Sequence, residues 1–263
     1  MAGPCGADEA VCSIVPRWAK GLLAPLVAEP VPRDLDCLEV FAGAAAIARA
    51  FSRAGLDSRA YDKATHDEED VLTITGLTRL FWLVLRLKPG GLLWAAPPCA
   101  MWSFMSSSVH CRTKENPRGD RTRHSVREAN NVARIAACII KIATFRGVRF
   151  CMENPGRRLG AYPPMARALA YARATVTIVY LGAFGGPLPK PVTVWSNTRF
   201  IARLQRPKPC APDQEQSERY YTKIACGSVS LCAEHYNFLV PFSGVWALQV
   251  CFSGAAQGWS GWF

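Results

Sequence analysis

From Asp36 to about Asn197, short apolar runs of strand length alternate with helical patterns, and few folds accommodate that rhythm. It predicts an α/β fold in which a mostly parallel, doubly wound, Rossmann-like sheet is wrapped by helices. At 263 residues the chain can bury one sizeable core, so a single such unit with trimmings is expected. Residues 1–33 hold five of the nineteen prolines (Pro4, Pro16, Pro25, Pro30 and Pro32) around "WAKGLLAPLVAE", which reads as at most a broken helix in a leader or packing arm. Residues 34–200 form the α/β domain. In residues 201–263 the alternation is lost, and the segment reads as a tail.

Composition narrows the partners. Half the residues are hydrophobic and 19% are charged, which excludes wholesale disorder. Lys and Arg outnumber Asp and Glu by 31 to 20, a net +11 that favours a polyanionic partner. The eleven cysteines are scattered, and "MAGPCGADEA" lacks the charged start and apolar core of a signal peptide. An intracellular, nuclear or cytoplasmic setting is expected, and secretion is not. After His235 the chain is uncharged, and "FLVPFSGVWALQVCFSGAA" approaches the length of a membrane span. Pro241, Gly244, Gln249 and Gly254 favour a sheet strand or packed tail there instead. Cys210, Cys226, Cys232 and His235 match no compact finger spacing, so no metal is expected.

Three motifs carry the chemistry. In "LDCLEVFAGAAAIARAFSRAGLDSRAYDKA" the run Cys37 to Phe41 reads as a strand, Gly43 permits a tight turn, and Ala44 to Arg53 reads as a helix. Asp62, nineteen residues past Gly43, follows a second strand-like run and can take both hydroxyls of a ribose. In "DEEDVL", Asp70 is placed at a third strand end. "LKPGGLLWAAPPC" reads as a turn, a strand from Leu92 to Ala95, and a rigid Pro97-Pro98-Cys99 terminus. "RGVRFCMENPG" repeats the layout, with a strand from Val148 to Met152 followed by Glu153, Asn154 and Pro155. Residues at carboxyl strand ends meet in one crevice. A packing cysteine needs no pair of prolines to fix it, whereas one that meets a substrate does.

"EVFAG", "APPCAMWS" and "MENP" in this order, with Asp62 and Asp70 between the first two, resemble the S-adenosylmethionine-dependent DNA (cytosine-5) methyltransferases over residues 36 to roughly 197. The resemblance implies the methyltransferase form of the Rossmann-like fold. It implies that Cys99, presented by Pro98, is the nucleophile and that Glu153, beside Asn154, is the acid gripping the base. The turn Phe41, Ala42 and Gly43, with Pro97, would be the S-adenosylmethionine site, Asp62 holding the ribose and Asp70 the adenine amine. In "FGGPLPKPVTVWSN", Lys190 is the basic residue nearest to the family's base-binding arginine. Ala45 stands where the family usually carries a second glycine, and Pro155 where it more often has a β-branched residue.

These residue types suit that chemistry. Carbon 5 of cytosine is a poor nucleophile until a thiolate adds at carbon 6. A carboxylic acid at ring N3 stabilises the charge which that addition creates. The base must leave its stack to be reached, so DNA, with RNA as a second possibility, would bind with the cytosine flipped. Beyond Cys99, the basic, turn-rich segment Ser106 to Arg134 offers Arg112, Lys114, Arg118, Arg121 and Arg123 to phosphates. From Ser125 a helix is expected with Val126, Ala129, Val132, Ala133, Ala136, Ile139, Ile140 and Ala143 on its inner face. Trp102, Trp195, Cys37, Cys138 and Cys151 read as packing or pocket wall. Two classes of function remain: an active cytosine-5 methyltransferase, and a catalytically decayed methyltransferase fold that binds nucleic acid. Ala45 and the lack of a basic, turn-rich insert after Asn197 suit the second. Retention of Pro98, Cys99, Glu153 and Asn154 together favours the first.

Overall fold

The computed structural model describes residues 10–184 and 191–208. Two short helices, α1 (Val11–Ile14) and α2 (Arg17–Leu26), precede β1 (Leu35–Val40), α3 (Ala46–Arg53), β2 (Ser58–Tyr61), α4 (Ile74–Arg86) and β3 (Leu87–Ala95). After a loop holding α5 (Ser107–His110) come α6 (His124–Phe145), β4 (Arg149–Asn154), α7 (Arg158–Ala161), α8 (Pro163–Tyr171), β5 (Thr175–Tyr180) and β6 (Pro191–Ser196). The six strands form one sheet in the order β2-β1-β3-β4-β6-β5. β2, β1, β3 and β4 run parallel, and β6 is antiparallel to both its neighbours, β4 and β5. The expected α/β class and mostly parallel sheet flanked by helices are therefore present, an arrangement compatible with a Rossmann-like fold.

The period-two pattern of the strands sorts side chains between two cores. On β3, Leu93 and Ala95 join the larger core while Trp94 joins the smaller one. On β4, Phe150 and Met152 likewise oppose Cys151. Strands buried on both faces explain why these runs read as continuously apolar. Helix α6 buries Val126, Ala133, Ala136, Ile139, Ile140 and Ala143 as its spacing predicted, whereas Ala129 and Val132, expected on the same face, are half-buried at the edge of the larger core.

Several local expectations are corrected. The segment before Asp70 is not a strand but a 3-10 turn, Asp67–Glu69, whose Glu69 is buried. "LKPGG" lies inside β3 rather than in a turn before it, and the β1–β3 register shifts between Leu35 and Cys37 to absorb it. The arm is not broken at Pro25: α2 runs through it and ends one residue later, so little of the helical hydrogen bonding is lost. Cys210, Cys226, Cys232, His235 and the uncharged C-terminal run lie outside the described residues. Among the described residues no helix is long and apolar enough to cross a membrane.

Candidate active site

The chain leaves β1 for β2 on one side and returns through α4 to β3 on the other. The carboxyl ends of β1 and β3 are thus the switch point of the sheet, where a crevice must open. A cleft of about 190 Å³ lies there, bounded by Phe41 after β1, by Asp62 and Asp70 after β2, by Pro97, Pro98 and Cys99 after β3, and by Glu153 at the end of β4. Seven of the residues expected at the site from sequence are brought together in it.

The turn after β1 is built from left-handed backbone at Phe41 (φ 59°), Gly43 (φ 48°) and Ala45 (φ 52°). Gly43 adopts this without strain, whereas Ala45 incurs on the order of 1 kcal/mol that a glycine would not. The Gly43 N–H donates to Asp62 Oδ2 at 2.8 Å, and the Ala64 N–H donates to Asp62 Oδ1 at 2.8 Å. Asp62 thereby ties the β1 and β2 ends together while each oxygen retains a lone pair. Gly43 and the buried Ala42 shape the turn without lining the cleft.

Two buried acids unassigned from the sequence hold this architecture. Glu39 accepts from the Ala48 N–H at 2.8 Å inside the first turn of α3, and burial pushes its carboxyl up to about 7. Glu69 accepts from the Asp62 N–H at 2.9 Å and pairs with Arg59 at 3.0 Å and Arg79 at 3.7 Å. The one available signal for Glu69 was its position next to Asp70. Asp70 accepts from the Leu72 N–H at 2.9 Å and lies 3.5 Å from Lys63, itself at the cleft. Gly76 was also missed: a Cβ there would lie 2.1 Å from the Asp70 carbonyl oxygen, so only glycine lets α4 approach so closely.

The segment carrying Cys99 is pinned at several points. The Ala96 N–H donates to the Val40 carbonyl at 3.2 Å, and Asn154 Nδ2 donates to the Pro97 carbonyl at 2.9 Å. Asn154 is buried and positions Pro97 rather than reaching the cleft. The Cys99 carbonyl then accepts from Trp102 and Ser103 in the single 3-10 turn Ala100–Trp102. Cys99 is partly exposed, whereas burial pushes the Cys138 and Cys151 thiols up to about 12 and marks them as inert packing. Trp102 and Trp195 are buried, as expected.

Arg112 does not belong with the phosphate-facing cations. It is 4% exposed, sits 3.7 Å from the Trp102 ring centroid, and donates to the Met101 and Pro117 carbonyls and to Asn130 Oδ1. Burial lowers its pKa to about 10. Its role is to fold the loop behind Cys99. His110, fully buried, assists: Nδ1 accepts from the Arg112 N–H, which leaves Nε2 to donate to the Ser103 carbonyl at 2.7 Å. Lys114, Arg118, Arg121 and Arg123 are exposed, Arg123 pairing with Asp120 at 3.2 Å. Lys190 lies outside the described residues.

No protein-family model and no curated protein matches this chain.

Proposed function

We propose that the chain is an S-adenosylmethionine-dependent methyltransferase acting on carbon 5 of cytosine in nucleic acid, with DNA the foremost substrate, through a covalent cysteine adduct. One observation carries this reading: a partly exposed cysteine and a buried glutamate, from adjacent strand ends, line the same cleft as the acid-rimmed turn after β1.

The donor set fits the cofactor. Glu69 is balanced by Arg59 and Arg79, so Asp62 and Asp70 stand at the cleft with Lys63 as nearby counter-charge. In a chain of net +11 that local excess of carboxylate suits a cationic ligand, and Phe41, Val71 and Leu72 supply apolar walls for its purine. Phe41, Asp62 and Asp70 would hold it. When bound, S-adenosylmethionine supplies an electrophilic methyl group.

The protein's own groups do the rest. Cys99, as thiolate, adds to carbon 6 and makes carbon 5 electron-rich. Glu153 delivers a proton to ring N3 and so takes up the charge that the addition places in the ring. After methylation a water molecule takes the carbon 5 proton, the carbon 5–carbon 6 double bond re-forms with expulsion of the Cys99 thiolate, and ring N3 returns its proton to the Glu153 carboxylate. The prolines and Asn154 keep the sulfur placed, which matters because small displacements cost large factors in rate. Lys114, Arg118, Arg121 and Arg123, exposed in the loop following Cys99, would hold the phosphate backbone.

The test replaces the carbon 5 hydrogen of cytosine with fluorine, which permits attack and methyl transfer but blocks the final elimination. Wild-type protein with cofactor is expected to leave a stable adduct on denaturing electrophoresis. Cys99→Ala should abolish it, and Glu153→Gln should slow its formation by 100-fold or so, the scale of lost general acid catalysis. Wild-type protein that binds the cofactor yet gives no adduct with DNA or RNA would overturn this mechanism and leave the decayed binding module as the better account.

A further inference from the structure

A second concave surface lies away from the cleft, between α1–α2, α6 and α8, with a volume of about 370 Å³. Arg118, Arg134, Lys141 and Arg167 line it, and no acidic side chain does. Among the described residues none of the four makes an ion pair. Four cations held in one concavity without counter-charges repel one another, and an anion that fills the space relieves this. Arg134 and Lys141 are seven residues apart on α6, two turns and about 10 Å along one face. Val132, two residues from Arg134 and so on nearly the opposite side of the helix, lines the catalytic cleft. Trp18 borders the groove, 43% exposed, with one ring face against Phe81 at 6.3 Å between centroids.

We infer that this groove binds the phosphodiester backbone of the substrate nucleic acid, flanking the cytosine held in the cleft. The inference rests on the nucleic-acid reading given above. Arg118 joins the two surfaces, because it belongs both to the exposed basic loop beyond Cys99 and to the groove wall. Three of the four cations are arginines, whose planar forks match phosphate oxygens in pairs. The concave shape favours a strand over an extended membrane surface, which could not enter it. A backbone following loop and groove would pass from the amino-terminal end of α6 along its middle, so the arm helices contribute one wall of the nucleic-acid path. That wall lies outside the residues in which the methyltransferase resemblance resides.

The experiment uses the full chain and a fluorescent DNA duplex, with anisotropy read across a salt series. The triple substitution Arg134→Gln, Lys141→Gln and Arg167→Gln should flatten the slope of log affinity against log salt by two to three units, at about 0.9 per lost contact. Cofactor affinity, measured by calorimetry, should stay the same. A charge-reversed pair, Arg134→Glu with Lys141→Glu, should weaken duplex binding further still. An unchanged slope in a folded triple variant overturns the inference. So does a variant that keeps DNA affinity but loses binding to vesicles containing an anionic lipid, since the occupant would then be a membrane. If wild-type protein forms no fluorocytosine adduct while the triple variant still flattens the slope, the methyl-transfer mechanism fails and the groove assignment stands.

Discussion

Glu39 places an ionisable group where charge is poorly tolerated. Its Oε2 accepts from the Ala48 N–H, but Oε1 is buried with no hydrogen-bond partner among the described residues. Burial outweighs the help of the helix N–H groups and raises the carboxyl from an ordinary 4.5 to about 7. Between those values the folded protein keeps a proton that the unfolded chain has released. Stability is therefore fully present below about 4.5 and declines as pH rises towards 7, by up to about 3 kcal/mol at 1.36 kcal/mol per unit. Glu39→Gln should remove that decline, whatever it does to stability at any single pH. Urea unfolding at a series of pH values reads the difference, and parallel curves for the two proteins would show that Glu39 ionises without cost.

The elements that carry the site differ in how openly the sequence announces them. The β1, β3 and β4 ends were legible because apolar strand runs stop at short glycine, proline or polar signals: Phe41 to Gly43, Pro97 to Cys99, Glu153 to Asn154. The segment around Asp70 was not, because an acidic cluster has no periodicity of its own and its conformation is set by Arg59 on β2 and Arg79 on α4. Arg112 was misread for a related reason. A run of basic residues looks uniformly solvated, and nothing nearby in the chain tells that one of them will stack on Trp102 and bond to Asn130. Gly76 shows the same dependence on distant contacts. Tyr61 Oη donates to its carbonyl at 2.6 Å, and Thr73 Oγ1 joins its N–H to the Asp70 carbonyl. Gly76→Ala would improve helix propensity by about 1 kcal/mol, but its methyl group must displace backbone, for which 1–3 kcal/mol is typical. The steric cost should win, with net destabilisation of about 1 kcal/mol in chemical unfolding. On the proposed function, affinity for S-adenosylmethionine should fall as well, because Asp70 moves with α4; a variant less stable but with unaltered affinity would separate α4 packing from the site.

At the scale of the whole molecule, the described arm and the sheet share one hydrophobic core. The proline-rich first segment reads as peripheral in sequence, because Pro25 suggests a break and the strand rhythm has not yet begun. In the fold, Val11, Val15, Ala19, Leu23, Val27 and Val31 are all buried in the larger core, the same core that holds Leu80 and Phe81 of α4 and Phe150 and Met152 of β4. Trp18 stacks against Phe81 from α2 across to α4. Helix α4 in turn leads from Asp70 to β3 and so links the arm to the cleft. Leu23, with no exposure, makes the test. Leu23→Ala removes buried methyl groups from a well-packed position, and losses of 2–5 kcal/mol are typical for such changes. If the arm is part of the domain, thermal unfolding should remain a single transition, with its midpoint lowered in calorimetry and in melting followed by circular dichroism alike. An arm that merely leaned on the sheet would behave otherwise: the main transition would keep its midpoint, and only a small early step would move.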